Sequence, residues 1–383
     1  MATGELVSPA PLLRMRSYIQ RVATGPEYSK EISFDEARDG MKLILQGEVD
    51  PVQSALFLIG LRLKRESDDE YRGILQALID ASERIVADCD EVIDIADPYD
   101  GYTRSLPASP FLPAVLAGCG QPAFSHGADT IGPKYGVTHR KVLEAAGIDV
   151  ELGVREAAGC LSDPALGWAY VDQRQLCKPL HDLVELRSLM VKRPAITTVE
   201  VLLHPLSGRE RTHLVTGYVH KTYPRIYSML ARYAGFDSAM IVRGVEGGVT
   251  PSLQSASRFT RYHSDEDEES ITIDPATIGR AGSERALPLP ADLPSPEVTG
   301  DGIPRQINTP AAAAQTAAMG LAALRGEPGP MLDSLVYSAG TILFHLKRFP
   351  DLKSASEFVA KKLQSGAVLQ HFQAGLIDYG PSE

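Results

Sequence analysis

Apolar residues recur at helical spacing near the start of the chain. Ser33 and Glu36 have the Ser-x-x-Glu spacing of a capping box, which satisfies free backbone amides where a helix begins. The apolar positions that follow fit one helix face, and two further helices are predicted over 51–64 and about 67–87. The pattern therefore predicts a small all-helical domain over 33–90, after an irregular N-terminal arm at 1–32.

From residue 92 onward the pattern changes to short apolar runs separated by glycine and proline. Strands are predicted at 92–95, 121–124, 213–218 and 239–244, with helices at 138–146, 224–234, 310–325, 331–346 and 354–374. Strands that alternate with helices indicate an α/β fold. We expect a larger α/β domain over 91–383, with a mixed, partly parallel sheet flanked by helices, and a helical domain completed by later helices.

The segment 254–305 is Ser-rich, then acidic, then heavy in proline and glycine, and it predicts a long surface excursion. One strand at 270–273 is compatible with its pattern. The acidic run 265–269 is typical of a solvated loop, and a protein-docking segment is the alternative.

The overall composition is that of an ordinary globular protein, with 44% hydrophobic and 23% charged residues among 383. No run approaches the ~18 apolar residues of a membrane helix, so no membrane partner is expected. The four cysteines form no C-x-x-C pair, which favours a reduced, cytoplasmic setting over a disulfide framework or a zinc site. The net charge of −11 excludes a broad basic coat, but a short basic groove is compatible with it.

The most informative segment is 125–148, which reads Ser-His-Gly-Ala-Asp-Thr-Ile-Gly-Pro-Lys-Tyr-Gly and continues into Val-Leu-Glu-Ala-Ala-Gly-Ile. It resembles the substrate loop of anthranilate phosphoribosyltransferases, where His-Gly-Asn-Arg-Ser precedes Lys-x-Gly and a Leu-Glu-Ala-x-Gly helix. His126, Gly127, Lys134 and Gly136 match, whereas Ala128-Asp129 replace the family's Asn-Arg.

A second resemblance lies in the helical region. The order Leu45-x-Gly47-Glu48-Val49-x-Pro51, with Leu61-Arg62-x-Lys64 after it, is similar to the N-terminal domain of the glycosyltransferase family that includes these enzymes and pyrimidine nucleoside phosphorylases. Together the resemblances cover about 30–253 and 310–376. They imply glycosyltransferase family 3, a homodimer formed through the helical domain, and an ancestral site for phosphoribosyl pyrophosphate and magnesium.

The chain departs from that family at the turn after its first predicted strand. The family has Gly-Thr-Gly-Gly-Asp-Gly there, and only Asp100 and Gly101 remain. Pro98 has no amide to donate, Tyr99 blocks a close approach, and Asp97 is expected to place negative charge beside a diphosphate. The usual mode of diphosphate binding is therefore expected to be lost.

The family's acidic metal-binding pair is also missing. Val249 and Thr250 occupy the positions where the family has Asp-Glu, and magnesium prefers carboxylate oxygens and water. We therefore predict no cofactor, with magnesium needed only if transferase activity is retained, and we assign no metal ligand and no catalytic residue.

Residues that remain in matching positions are the candidate substrate or anion contacts. They are Asp100, Gly101, His126, Gly127, Thr130, Lys134, Gly136 and Arg193. A packed side chain is the alternative for His126, a solvated lysine for Lys134, and a structural ion pair for Arg193.

Three functions follow from these observations. The first is a non-biosynthetic branch of the family that binds a phosphate ligand or single-stranded DNA or RNA, as the resemblance implies. Its candidate nucleic-acid contacts are Arg140, Lys141, Lys192, Arg209 and Arg211. The second is an active pentosyltransferase with an altered donor or acceptor, and the third is a structural or regulatory partner protein.

Overall fold

The computed structural model describes residues 10–25, 27–296 and 299–376. Its helices are α1 Pro11–Val22, α2 Phe34–Leu45, α3 Pro51–Lys64, α4 Asp68–Asp80, α5 Leu112–Gly118, α6 His139–Ala145, α7 Val154–Ser162, α8 Gln173–Leu176, α9 Lys178–His181, α10 Val184–Met190, α11 Ile196–Val199, α12 Tyr223–Ala234, α13 Thr309–Leu324, α14 Pro330–His345, α15 Leu352–Gln364 and α16 Ala367–Gln373. Its strands are β1 Ile85–Val86, β2 Glu91–Ala96, β3 Ser105–Leu106, β4 Ala123–Gly127, β5 Trp168–Asp172, β6 Leu206–Ser207, β7 Arg211–Gly217, β8 Ser238–Val242, β9 Ser257–His263, β10 Glu269–Ile273 and β11 Leu287–Pro288.

A helical unit is formed by the residues up to Ser82 together with 177–203. The predicted capping box is present, since the Ser33 side chain accepts from the Glu36 amide and the Glu36 carboxylate accepts from the Ser33 amide. The expectation of an irregular arm is wrong for 11–22, which form α1. Its apolar face is buried, and Arg14 pairs with Asp39 at 2.9 Å.

The boundary of the helical domain also differs from the expected 33–90. Helix α4 ends at Asp80 because 85–86 leave the helical path and pair, as β1, with β6. The segment 177–203 adds α9 to α11 to the helical unit. There Arg187 and Glu200 form a fully buried ion pair at 2.7 Å.

The second unit is built on a seven-stranded sheet in the order β10-β9-β8-β7-β2-β4-β5. Strands β8, β7, β2, β4 and β5 run parallel, and β9 and β10 are antiparallel additions at one edge. The predicted mixed, partly parallel sheet is confirmed. Sequence reasoning missed β5, whose residues are buried throughout.

The expected surface excursion at 254–305 is wrong for its first part. Residues 257–263 form β9, which joins the main sheet, and the compatible strand at 270–273 is present as β10. Of the acidic run, Glu269 pairs with Arg261 and Glu266 pairs with Lys347. The run is therefore partly neutralised within the chain.

The last predicted helix, 354–374, is two helices. Gly366 has a left-handed φ of 78°, which ends α15 and begins α16. Trp168 then stacks on Phe372 with ring centroids 5.3 Å apart, so that α16 covers the sheet beside β5. Within the described ranges, no helix has the length and apolar character needed to cross a bilayer.

Candidate functional site

The candidate site lies where β2, β4, β7 and β8 end, at the carboxyl edge of the sheet. Parallel strands bring the loops that follow them to one edge, which is where open α/β sheets usually bind ligands. The loops are 97–104, 128–138, 218–222 and 243–256, and all belong to the α/β unit.

The first two loops are joined by direct backbone contact. Tyr102 and Val137 exchange hydrogen bonds of 3.0 and 2.8 Å, and the Gly136 amide donates to the Asp100 carbonyl at 2.9 Å. Gly101 has a φ of 72°, and a Cβ at Gly136 would lie 2.5 Å from the Tyr102 nitrogen. These two glycines therefore allow the backbones of the two loops to touch each other. The sequence had predicted that both glycines contact an anion.

Lys134 holds the same loops together. Its Nζ donates to the Gly101 carbonyl at 2.9 Å and to the Glu246 carbonyl at 3.2 Å, and it lies 3.5 Å from Asp100 Oδ1. Sequence reasoning thus selected residues that do meet. The positive charge of Lys134 is balanced by Asp100 and by the two carbonyl oxygens, all of which belong to the chain itself.

Asp97 faces the protein interior, contrary to the expectation that it would face a diphosphate. Its carboxylate accepts from the Tyr102 hydroxyl at 2.8 Å, the Ser109 hydroxyl at 2.6 Å and the Val249 amide at 2.8 Å, and lies 3.0 Å from His139 Nε2. Burial alone would raise the pKa of Asp97, but His139 and the two hydroxyls lower this pKa below its ordinary value.

Glu246 accepts hydrogen bonds from backbone amides of the loop after β2. Its carboxylate accepts from the Thr103 amide at 3.0 Å, the Arg104 amide at 2.9 Å and the Ser105 hydroxyl at 2.9 Å. Glu246 itself has a φ of 53°, which is uncommon for a residue with a side chain. An internal carboxylate thus occupies a group of donors that would otherwise suit an external anion.

The positions expected to lack magnesium ligands are part of the core. Val249 is fully buried in the hydrophobic core and Thr250 is 4% exposed. Within residues 10–25, 27–296 and 299–376, no three His, Cys, Asp or Glu side chains are grouped in a way that could hold a metal ion.

His126 is packed inside the α/β unit. It is 1% exposed, Nδ1 contacts the Tyr99 hydroxyl, and Nε2 lies 3.0 Å from Asp94 Oδ1. The two atoms are close, but among the described residues neither has a hydrogen-bond partner. Gly127 follows on the buried strand β4.

Thr130 and Lys141 line a separate cavity of about 190 Å³ beside the N-terminus of α13. Lys141 Nζ donates to Thr130 Oγ1 at 2.7 Å and to Asp129 Oδ1 at 2.6 Å. On the same cavity, the Arg305 guanidinium lies 4.1 Å from the centroid of the Tyr135 ring. Two cations, three threonines and an aromatic ring therefore line this space.

The other predicted nucleic-acid contacts do not lie together at the carboxyl edge. Arg140 is buried with Asp172, Arg209 pairs with Asp88 and Asp90, and Arg211 pairs with Glu91. Lys192 and Arg193 lie exposed in the helical unit, before α11.

Sequence reasoning missed three exposed arginines at the carboxyl edge, namely Arg104, Arg243 and Arg258. Arg243 donates its backbone amide to the Arg258 carbonyl at 2.9 Å, so the two are cross-strand neighbours. In the described part of the chain, none of the three has an acidic partner within ion-pair distance. Like charges directly opposite on neighbouring strands destabilise a sheet, and an external anion would relieve this repulsion.

The loop after β7 adds aromatic and cationic groups to this edge. Val219 is 57% exposed and a Cβ on Gly247 would lie 2.7 Å from its side chain, which places the loop beside 243–250. Lys221 is exposed, and Tyr223 packs against Tyr227 with centroids 5.8 Å apart. The sequence has no aspartate or glutamate at 212–236, so this loop and the helix after it bring no negative side chain to the edge.

Comparisons with known proteins agree with this architecture. Residues 16–82 match the family described as the glycosyl transferase family, helical bundle domain. The chain is 25% identical over 347 residues to the anthranilate phosphoribosyltransferase of Paracidovorax citrulli (strain AAC00-1), covering 90% of this chain and 92% of the relative. An uncharacterized protein of Aquifex aeolicus (strain VF5) is 25% identical over 276 residues, covering 72% of this chain and 79% of that protein.

Solved structures show the same fold. Anthranilate phosphoribosyltransferase from Thermus thermophilus superposes with a TM-score of 0.68 at 17% identity, covering 94% of this chain and 97% of that one. The enzyme from Saccharomyces cerevisiae in complex with PRPP and Mg gives 0.72 at 13% identity, covering 95% and 97%. Residues 16–82 thus match the helical bundle domain of the glycosyl transferase family, and the chain is similar over nine-tenths of its length to anthranilate phosphoribosyltransferases, whose fold it shares.

Proposed function

We propose that this protein binds a phosphate-bearing ligand, single-stranded nucleic acid in particular, and does not transfer a phosphoribosyl group to anthranilate. The observation that carries the proposal is the Glu246 carboxylate seated on the Thr103 and Arg104 amides. A diphosphate at those amides would have to displace Glu246 or approach it. Displacement would break the three hydrogen bonds that Glu246 accepts, and approach would bring two like charges close together.

The metal requirement supports the same proposal. Val249 and Thr250 offer no carboxylate, and the Val249 amide is already bonded to Asp97. Magnesium would normally neutralise the charge that develops on the leaving diphosphate, and that stabilisation is usually the largest contribution to catalysis. Without carboxylate ligands at 249–250, this contribution has no evident source among the described residues.

The binding part of the proposal is supported by exposed cations beside a partly exposed aromatic ring. Arg104, Arg243 and Arg258 are exposed at the edge where Lys221 lies on the neighbouring loop and Tyr223 begins α12. Cationic grooves with aromatic side chains are the usual means of binding single strands, since cations contact phosphates and rings stack on bases. The Thr130–Lys141 cavity would suit a smaller phosphate ligand.

Fluorescence anisotropy with labelled single-stranded DNA and RNA tests the proposal. We expect binding at low salt that weakens as salt rises, because phosphate contacts release counterions. The double variant Arg243→Gln/Arg258→Gln should weaken binding about tenfold or more, as two phosphate contacts are lost. Arg325→Gln is the matched control, since Arg325 is exposed on the end of α13 and pairs with Glu327. Equal affinity of the double variant and the control would contradict the proposed surface.

The alternative function is an active glycosyl- or phosphoribosyltransferase with an altered donor or acceptor. Asp100, Gly101, Lys134 and Gly136 favour it because they keep the family's order and meet in space. Calorimetry with phosphoribosyl pyrophosphate and magnesium separates the two functions. Heat that saturates would support the alternative, and its absence beside DNA binding would support the main proposal.

We also propose a homodimer formed through the helical unit. Large apolar side chains are exposed there, including Leu13 at 61%, Val52 at 66% and Leu63 at 78%. Such side chains on one unit are typical of an interaction surface when they are contiguous. Light scattering should give twice the mass of 41.4 kDa, and Leu63→Glu should shift the mass toward the monomer while Val219→Glu does not. A cytoplasmic location stays a prediction.

A further inference from the structure

The opposite, amino edge of the same sheet contains a cavity of about 360 Å³. It lies where β2, β7 and β8 begin, where β9 ends, and beside the residues that follow α14. Its volume falls within the ~300–1,000 Å³ of small-molecule sites. The cavity is separate from the candidate site because the two lie at opposite ends of the parallel strands.

Two guanidinium groups on this cavity share one carboxylate. Arg211 Nη2 contacts Glu91 Oε1 and Arg348 Nη2 contacts Glu91 Oε2, while Arg348 Nε donates to Gln121 at 3.0 Å. Within the described ranges, Nε and Nη1 of Arg211 and Nη1 of Arg348 have no hydrogen-bond partner. Glu91 therefore holds both arginines in place and leaves N–H donors of each available to an oxyanion.

Three histidines continue from Glu91 into the protein. His213 Nε2 lies 3.4 Å from Glu91 Oε2 and its Nδ1 lies 2.8 Å from Ser238 Oγ, which lies 3.2 Å from His345 Nε2. His345 then stacks on His263 with ring centroids 4.7 Å apart. The simplest protonation pattern is a neutral chain in which His213 donates to Glu91 and Ser238 donates to His213.

This chain has unsatisfied nitrogens at its inner end. His263 Nε2 and His345 Nδ1 are buried without a hydrogen-bond partner. Burial lowers the pKa of His213 and of His263, and it lowers the pKa of the fully buried His345 well below the usual value. The imidazoles are therefore neutral at pH 7, and a negative charge placed beside them would favour their protonation.

The charges around the cavity are balanced while the imidazoles are neutral. Its walls carry three cations and three acids, which are Arg211, Lys347, Arg348, Glu91, Asp237 and Glu266. The Asp237 carboxylate accepts from the Thr212 amide at 2.8 Å, and Glu266 pairs with Lys347. Two arginines lie just outside, where Arg232 donates to the Ser264 and Glu266 carbonyls and Arg261 pairs with Glu269. Each proton added to an imidazole therefore leaves the cavity positively charged.

We propose that this cavity binds a small phosphate-type oxyanion through Arg211 and Arg348, and that binding is accompanied by proton uptake on His213 and His263. The anion is either free phosphate or the phosphate group of a small metabolite. The anion accepts hydrogen bonds from the unused guanidinium N–H groups, and its negative charge stabilises the protonated imidazoles. By linkage, protonation strengthens anion binding to the same extent.

Isothermal calorimetry with sulfate tests the proposal, because sulfate remains a dianion over the whole pH range used. We expect binding at low ionic strength that is at least about fivefold tighter at pH 6 than at pH 8, since each linked proton contributes up to about tenfold per pH unit. Titrations in two buffers with different heats of ionisation should show proton uptake. Binding that is independent of pH, or no binding at all, would overturn the proposal.

Variants locate the anion. Arg348→Gln should weaken sulfate binding about tenfold or more, and His213→Gln should reduce the pH dependence while keeping a neutral group beside Ser238. Arg325→Gln is the control and should bind as the unchanged protein does. If Arg348→Gln fails to fold, as judged by circular dichroism, the exposed Arg211→Gln replaces it. Unchanged binding in a folded arginine variant would refute the site.

A comparison of two phosphate ligands distinguishes the sources of the anion. Ribose 5-phosphate that binds more tightly than inorganic phosphate would identify the phosphate group of a metabolite, and the reverse order would identify the free ion.

Discussion

The two edges of the seven-stranded sheet use buried charge in opposite ways. At the carboxyl edge, Asp97 and Glu246 are carboxylates whose oxygens are satisfied by amides and hydroxyls of the chain. At the amino edge, Glu91 holds two guanidiniums that keep unused N–H donors, and the histidine chain beside it has inner nitrogens with no hydrogen-bond partner among the described residues. A scaffold can thus close one ligand-binding edge with its own acids while the other edge keeps donors free.

The largest expected effect comes from Asp97. Asp97→Asn should lower the free energy of unfolding by about 3–5 kcal/mol, because it removes the charge that His139, Ser109 and Tyr102 are arranged to bind. Urea unfolding measures the change, with the exposed Asp292→Asn as control. A loss no greater than that of the control would mean that the carboxyl edge does not depend on its buried acid.

The stabilisation that Asp97 contributes depends on pH. Its pKa is lowered in the folded state, so its stabilisation is present above the unfolded pKa of about 3.9 and is lost as the pH falls from that value through the folded pKa. The unchanged protein should therefore lose this contribution only in strong acid.

Removal of Glu246 should reopen the donors at the carboxyl edge. Glu246→Ala leaves two amides and the Ser105 hydroxyl without an acceptor and should cost about 2–3 kcal/mol of stability. Pyrophosphate should then raise the midpoint of thermal unfolding of this variant, because a bound anion replaces the lost acceptor. Glu327→Ala, an exposed acid, is the control. A variant that is destabilised but indifferent to pyrophosphate would separate the structural role of Glu246 from the blocking role that we assign to it.

Close packing of the two loops gives a smaller effect. Gly136→Ala should cost about 2 kcal/mol, since its Cβ would press on the Tyr102 backbone and force the loops apart. Gly159→Ala is the matched control, because nothing lies within 4 Å of its added Cβ and alanine is the better helix former. Equal stability of the two variants would show that the loops are less tightly joined than their hydrogen bonds indicate.

Local signals made much of the fold predictable from sequence. The capping box at Ser33 and the apolar runs of β2, β7 and β8 depend on neighbours within a few residues, and their predictions are confirmed. The match around His126 identified the loop that meets Asp100 and Gly101. The helix at 11–22 was missed although its sequence carries a local signal, since Pro11 suits a first helical turn and the buried Met15, Tyr18 and Val22 recur at helical spacing.

The chemistry of both edges depends on contacts between distant residues and could not be predicted in the same way. Glu246 meets Arg104 across 142 positions, and Ser238 meets His345 across 107. The direction of Asp97 depends on His139 and Val249, which no spacing in the sequence connects to it. The pairing of Arg243 with Arg258 requires the register of β9, a strand that lacked a clear pattern.

The smallest effect, and the one that distinguishes the two edges most directly, is the response to mild acid. The neutral His345 has a lowered pKa in the folded state, so the unfolded chain takes up its proton first as the pH falls below about 6.5, and stability declines from there. His345→Gln, which can still donate to Ser238 and does not titrate, should reduce this decline by about 1 kcal/mol between pH 6.5 and 5.5. Asp97→Asn should leave the same interval unchanged, because its window lies below about 3.9. Urea unfolding at the two pH values measures both. An equal slope for His345→Gln and the unchanged protein would place the acid sensitivity outside the amino edge.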